Sequence, residues 1–414
     1  MVPIEADRLA DMPATTILDA RLITLRGGAG PRRGAAMLDL GVVERGHVVV
    51  EDGTIVAVGP GDPPDLRGEV LHAGGRAVMP ALVDCHTHLC WTGERYDERS
   101  RILAGVPYLE ILASGGGIMR TVRAVREADE RTLVADLRRR LAETARLGSG
   151  TIEVKSGYGL TVHDEFRMLA AIEAASRHAP RLVVPTFLGL HARDPQAPGQ
   201  LEAMVQEALP ALAARHPGMA VDAYCEEGAF SVAECRRFLE AARALGLPLR
   251  LHADQFNALG GTSLAVELGA RSVDHLEATT PGELARLAES RTIGVVLPCC
   301  GFTLDGRYAP ARALLDAGGA LAIASNANPG SAPSPSLAFS LALAVRFMGV
   351  RPEEALVAGT WNAACVLGVE SRAGSLEPGK RADLLMLHSP DPRSLTLEYA
   401  GAGPAMVMLG GVVQ

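Results

Sequence analysis

Ala77-Val-Met-Pro-Ala-Leu-Val-Asp-Cys-His-Thr-His88 is an apolar run that opens, through one aspartate, onto two histidines one residue apart. A run that is apolar throughout, rather than at every second position, fits a strand covered on both faces, as in a parallel sheet flanked by helices. Side chains alternate along a strand, so His86 and His88 share a side.

The same pattern recurs along the chain. Short apolar segments at 77–83, 151–154, 182–190, 220–224, 247–251, 272–274, 293–297 and 320–324 are bounded by polar residues or glycine. Helix-period stretches such as 132–147, 164–177, 201–215 and 232–245 lie between them. Eight such units predict an α/β chain folded as a TIM-type (β/α)8 barrel. A doubly wound open sheet is the alternative, but no GxGxxG follows the first strand.

The ends read differently. Segments 47–51 and 54–58 flank Asp52-Gly53, a strong hairpin signal, and 406–409 and 412–413 flank Gly410-Gly411. Segment 382–388 is another strand candidate. Two strand-rich ends around a different middle predict that the termini meet in one small sheet domain.

Composition narrows the class. The 414 residues carry a net charge of -8, so a nucleic-acid partner, which needs a basic face, is not expected. The charged fraction of 21% is that of a folded protein. The segment beginning at Met1 has no basic region followed by an apolar stretch, so no signal peptide is expected. The apolar stretch 337–350 is broken by Arg346 and too short to span a bilayer, so no membrane partner is expected. The seven cysteines include adjacent Cys299 and Cys300 and no CxxC pair. That usage fits a reducing, cytoplasmic setting and argues against a cysteine zinc site.

His191, His252 and His275 end three further candidate strands. Barrels gather strand ends on one face, where active sites sit. Imidazoles converging there make a site for a borderline-soft metal. Each histidine alone also fits a hydrogen-bonded rim or core residue. His47, His72, His163, His178, His216 and His388 fall outside the pattern and read as surface or structural.

Several stretches carry a resemblance. Residues 79–88 resemble the metal-binding strand of the amidohydrolase superfamily. Tyr108-Leu-Glu-Ile-Leu-Ala-Ser-Gly-Gly-Gly-Ile, Glu153-Val-Lys-Ser-Gly-Tyr158-Gly, Val184-Pro-Thr-Phe-Leu-Gly-Leu-His191, His252-Ala-Asp-Gln255, Asp274-His275-Leu and Asn328-Pro-Gly330-Ser331 are similar to the imidazolonepropionases of histidine degradation. The resemblance runs in order from about Gly53 to the C-terminus.

The resemblance implies a barrel over 69–369 and a small β-sandwich built from 1–68 and 370–414. It implies one zinc or iron ion at the barrel mouth, with His86, His88, His252 and residue 326 as ligands. Arg95, Tyr158, His191, Gln255, Asn328, Gly330 and Ser331 fall where the family holds substrate, with Tyr108 a further candidate. It also implies a homodimer acting on a small molecule with a carboxylate tail.

The chemistry agrees with these residue types. 4-Imidazolone-5-propanoate is a cyclic amide with a propanoate tail, and its opening gives N-formimidoyl-L-glutamate. Ring opening needs hydroxide near neutral pH, which a bound metal supplies. The developing oxyanion needs donors, for which His275 and His191 are at hand. Arg95 and Tyr158 suit the propanoate. The ordinary alternatives are a salt bridge from Arg95 to Glu94 or Glu98, a locally packed Tyr158, and a turn that merely needs Gly330. Gln255 can donate and accept at once, which suits a ring N–H and C=O pair.

Position 326 departs from the family pattern, which has aspartate where this chain has Asn326. An amide oxygen can approach a metal, but it adds no charge and has no useful basicity near pH 7. Three readings follow: an altered but otherwise ordinary enzyme, a variant whose base is His275 or Asp254, or a non-catalytic relative that binds a small imidazole or carboxylate. Another hydrolase or deaminase of the superfamily is the rival within enzymes.

Overall fold

A computed structural model describes residues 14–106, 110, 115–177, 179–399 and 403–414; Tyr108 and His178 lie outside the described residues. The middle of the chain forms an eight-stranded parallel sheet. Its strands are Leu82–Asp84, Ser149–Lys155, Leu182–Leu190, Ala220–Cys225, Arg250–Ala253, Ser272–His275, Ile293–Val296 and Leu321–Ile323. Each pairs with the next in sequence order. Just past the strand ends, the Asn326 N–H donates to the His86 carbonyl at 2.9 Å and the His88 N–H to the Ala327 carbonyl at 3.0 Å. These bonds bring the first and eighth strands together and fix position 326 beside the histidine pair.

Helices separate the strands, and their starts are legible in the sequence. Glu130–Arg146 begins at Asp129, whose side chain accepts from the Thr132 N–H, and it buries Leu133, Leu137 and Leu141. Val232–Ala244 begins with a capping box between Ser231 and Glu234. The stretch expected as one helix over 201–215 is instead Gln200–Ala203, a π-turn Met204–Ala208 and Leu209–Arg215. Pro210 has no N–H and crowds the carbonyl four residues back, so the ladder widens there.

Both chain ends meet in a separate mixed sheet. Its hairpins turn as the sequence predicts: Asp52 and Gly53 have φ of +46° and +71°, and Gly410 and Gly411 of +55° and +81°. The expected strand 77–83 is corrected. Ala77–Pro80 joins the end sheet, pairing parallel with Arg21 and Leu22 and antiparallel with Leu384–Met386; only Leu82–Asp84 enters the barrel. Pro80 cannot donate to a ladder, and the chain changes sheets directly after it. Glu69–His72 also pairs into the end sheet, against Thr15 to Leu18, so the sheet reaches past residue 68. Ile17, Leu22, Val48, Ile55, Val78, Leu384 and Met408 form its core.

Among the described residues no helix is long and apolar enough to cross a membrane. Asp254, His275, Leu276 and Asn326 have φ of +58°, +93°, +76° and +55°. Left-handed backbone is rare for such residues, and here it gathers at the C-terminal ends of the fifth, sixth and eighth strands.

Candidate metal centre and active site

Strand alternation places Asp84, His86 and His88 on the inner side, and His252 enters from the fifth strand. The Nε2 atoms of His86 and His88 lie 3.2 Å apart, and those of His252 and His88 3.5 Å apart. His86 Nδ1 lies 2.5 Å from Asp274 Oδ2, and His252 Nδ1 lies 3.0 Å from Asp222 Oδ1. The carboxylates assign the protons of these two rings to Nδ1, leaving both Nε2 atoms as lone-pair acceptors. The three rings offer donor atoms close enough together to hold one metal ion. Tetrahedral zinc with nitrogen ligands at about 2.0–2.1 Å separates them by about 3.3 Å. Burial pushes His86 and His88 well below the usual imidazole range and lowers His252, which keeps all three neutral as a metal requires.

A buried ionic chain lies behind the histidines. Lys155 Nζ is 2.7 Å from Asp222 and 2.9 Å from Glu153. Arg250 pairs with Glu153, and its Nη2 reaches Asp274 at 2.6 Å and the Cys85 carbonyl at 2.9 Å. Although burial opposes it, His252 and Lys155 hold the Asp222 carboxyl well below the usual carboxylate range. Three carboxylates against two cations leave one negative charge beneath the trio, which suits a cation above it.

Asn326 takes its place through its backbone bond to His86. Its Oδ1 is buried and has no hydrogen-bond partner. A buried amide oxygen without a donor, one residue-length from the histidine pair through that backbone bond, is compatible with a neutral metal donor.

The other expected residues sort by neighbourhood. His191 stacks on His88, with ring centroids 4.9 Å apart, and its Nδ1 bonds the Gly157 carbonyl at 2.8 Å. The Tyr158 ring is 5.3 Å from His191 and 6.1 Å from His88. The His275 ring is 5.7 Å from His252 and 6.1 Å from His86, and its Nδ1 faces Glu277 Oε1 at 3.3 Å. Gln255 accepts from the Tyr224 hydroxyl at 2.7 Å and donates to Cys300 Sγ at 3.2 Å. Asp254 turns to other groups, accepting from the Thr262 and Thr279 hydroxyls at 2.7 and 2.9 Å.

Arg95 pairs with Glu98 at 2.9 Å and passes so close to Gly330 that a Cβ there would sit 2.4 Å from its Nη1. Asn328 Oδ1 accepts from the Gly330 and Ser331 N–H groups, each at 2.8 Å, and its Nδ2 donates to the Asn326 carbonyl at 2.6 Å. That side chain holds the turn carrying Gly330 and Ser331 under Arg95.

Comparison with known proteins now decides the family. The amidohydrolase family model matches residues 77–414. An imidazolonepropionase of Chloroflexus aggregans is 45% identical, over 95% of this chain and 96% of its own. One of Symbiobacterium thermophilum is 47% identical, over 89% of each chain. The chain belongs to the imidazolonepropionase family. Imidazolonepropionases are hydrolases acting on a cyclic amide, and the fold extends to more distant amidohydrolases. The triazine hydrolase from Arthobacter aurescens superposes with a TM-score of 0.73 at 17% identity, over 97% of this chain and 94% of that one.

Sequence reasoning assigned no role to Glu153, Lys155, Asp222, Tyr224, Arg250, Asp274, Glu277 or Cys300. The signal was present for one of them: a charged residue inside an otherwise apolar strand, two positions from a site residue, as in Arg250-Leu-His252.

Proposed function

We propose that the chain hydrolyses the ring amide of 4-imidazolone-5-propanoate to N-formimidoyl-L-glutamate. The observation that carries the reading is the convergence of the His86, His88 and His252 Nε2 atoms beside Asn326, with Arg95 and Tyr158 at the same rim. His86, His88, His252 and Asn326 Oδ1 would hold a zinc or iron ion, which would supply the Lewis acidity that makes water nucleophilic near pH 7.

Hydrolysis adds one water across the C–N bond, hydroxyl to the carbonyl carbon and proton to the leaving nitrogen. With its Nδ1–H directed at Glu277, His275 presents Nε2 as a lone pair and serves as the base that takes and returns that proton. Asp254, whose Oδ2 accepts from Thr262 and Thr279 while its Oδ1 has no partner, is the alternative base. Gln255 meets the ring's N–H and C=O pair by exchanging its present partners, the Tyr224 hydroxyl and Cys300 Sγ. Arg95 and Tyr158 hold the propanoate, with His191, Asn328, Gly330 and Ser331 completing the pocket. On this reading the protein is a cytoplasmic homodimer without nucleic-acid or membrane partners.

Loss of imidazolone absorbance with metal-loaded protein tests the reading. Turnover supports it; no signal loss in either the native chain or Asn326→Asp defeats it. The neutral Asn326 favours one rival, a relative that binds the ligand without turnover. Calorimetry showing tight binding and no product would select that rival.

A further inference from the structure

Beside the histidine trio lies a second cluster. His275, Glu277 and Cys300 each offer one donor atom, and these atoms lie within 4.8 Å of one another. They come from the end of the sixth strand and from the Pro298–Thr303 helix after the seventh. The Glu277 side chain is only 5% exposed; Oε1 bonds His275 Nδ1, and Oε2 lies 3.3 Å from the same nitrogen without completing a hydrogen bond. A buried carboxylate oxygen that shares one donor with its neighbour has room for a cation. On the other side, the Tyr224 hydroxyl fixes the Gln255 amide so that its N–H points at Cys300 Sγ. An N–H aimed at sulfur stabilises thiolate more than thiol. Imidazole, carboxylate and thiolate together are the donor set of zinc-like cations.

We propose that His275, Glu277 and Cys300 form a second cation site, for a thiophilic divalent ion such as Zn2+, whose occupancy inhibits turnover. Burial raises the Cys300 thiol, so the free site carries S–H. The ion takes the sulfur as thiolate, and one proton leaves to solvent. Inhibition follows from the electron pairs of the ring. A neutral imidazole has one N–H and one lone pair, and a lone pair given to an ion accepts no proton. The inhibition, unlike the binding, rests on the role proposed above for His275.

Cobalt titration of the metal-free full chain tests the site. The first centre has no sulfur, so a thiolate-to-cobalt charge-transfer band reports on the second alone. The expected result is two ions per chain, with the band rising on the second equivalent. Cys300→Ser keeps the first equivalent and loses both the second and the band. Should that variant not fold, Glu277→Gln decides, weakening the second equivalent by about tenfold with the band retained. Saturation at one ion without a band, or a band unchanged in Cys300→Ser, overturns the site. In turnover assays, excess Zn2+ is expected to inhibit the native chain at least about tenfold more than Cys300→Ser, in keeping with a lost proton acceptor. A band without inhibition retains the site and rejects its effect. A band in a chain that never turns over the imidazolone retains the site and rejects the proposed function.

Discussion

Asp274 Oδ2 lies 2.5 Å from His86 Nδ1, and the same oxygen takes the Arg250 guanidinium at 2.6 Å. One carboxylate thus sets the proton position of an imidazole in the histidine trio and anchors a buried arginine. A second carboxylate, Asp222, does the same for His252 and Lys155.

Asp274→Ala removes the orienting partner of His86 and leaves Arg250 one carboxylate, Glu153, in ion-pair contact. Metal affinity is expected to fall by about 10–100-fold, measured by competition with a chromophoric chelator. Thermal unfolding should show a loss of about 3 kcal/mol or more, because a buried cation loses a counter-charge. Unchanged affinity would show that the histidine geometry does not depend on this carboxylate.

Asn326→Asp restores a charged, basic oxygen where the amide now stands. Both residues tolerate the left-handed backbone at this position, so the fold should not change. Turnover is expected to rise by about a hundredfold or more, followed through imidazolone absorbance. Equal, already high turnover in the two forms would mean that His275 alone suffices as base.

Gly330→Ala puts a methyl group against the Arg95 guanidinium. The arginine must shift, so KM is expected to rise by about tenfold with a smaller change in kcat, since the reacting atoms are untouched. A kcat loss without a KM effect would move Arg95 out of the substrate-holding role.

Burial pushes the His191 imidazole down to about 3, against an ordinary value of 6.5. Below pH 6.5 the unfolded chain binds a proton here that the folded chain refuses until about pH 3. Stability is therefore full above pH 6.5 and declines as pH falls toward 3. Between pH 7.5 and 5, His191→Gln is expected to lose up to about 2 kcal/mol less than the native chain, less the screening that the rim gives a partly exposed ring. Urea unfolding at the two pH values measures this, and equal losses would contradict it.

The barrel is legible because a strand covered on both faces reads as one apolar run, and a helix on its surface as a 3.6-residue period. The meeting of the three histidines is legible for the same reason, since His86 and His88 obey the two-residue alternation and His252 ends a run. The change of sheets after Pro80 is not, because apolar residues on either side of it look alike whichever sheet they join. Nor is the ionic chain: His86 and Asp274 are 188 residues apart, and no local pattern pairs them. The Glu277–His275 contact is local, but only the fold shows that the pair faces Cys300. Asn328 reads as a pocket residue, and the fold adds that its amide holds the turn of Gly330 and Ser331.

X-ray absorption on the chain loaded with one equivalent of zinc tests the histidine centre most directly. The account predicts nitrogen and oxygen donors only, with three imidazoles at about 2.0–2.1 Å. Sulfur in that shell, or fewer than three imidazoles, would contradict it.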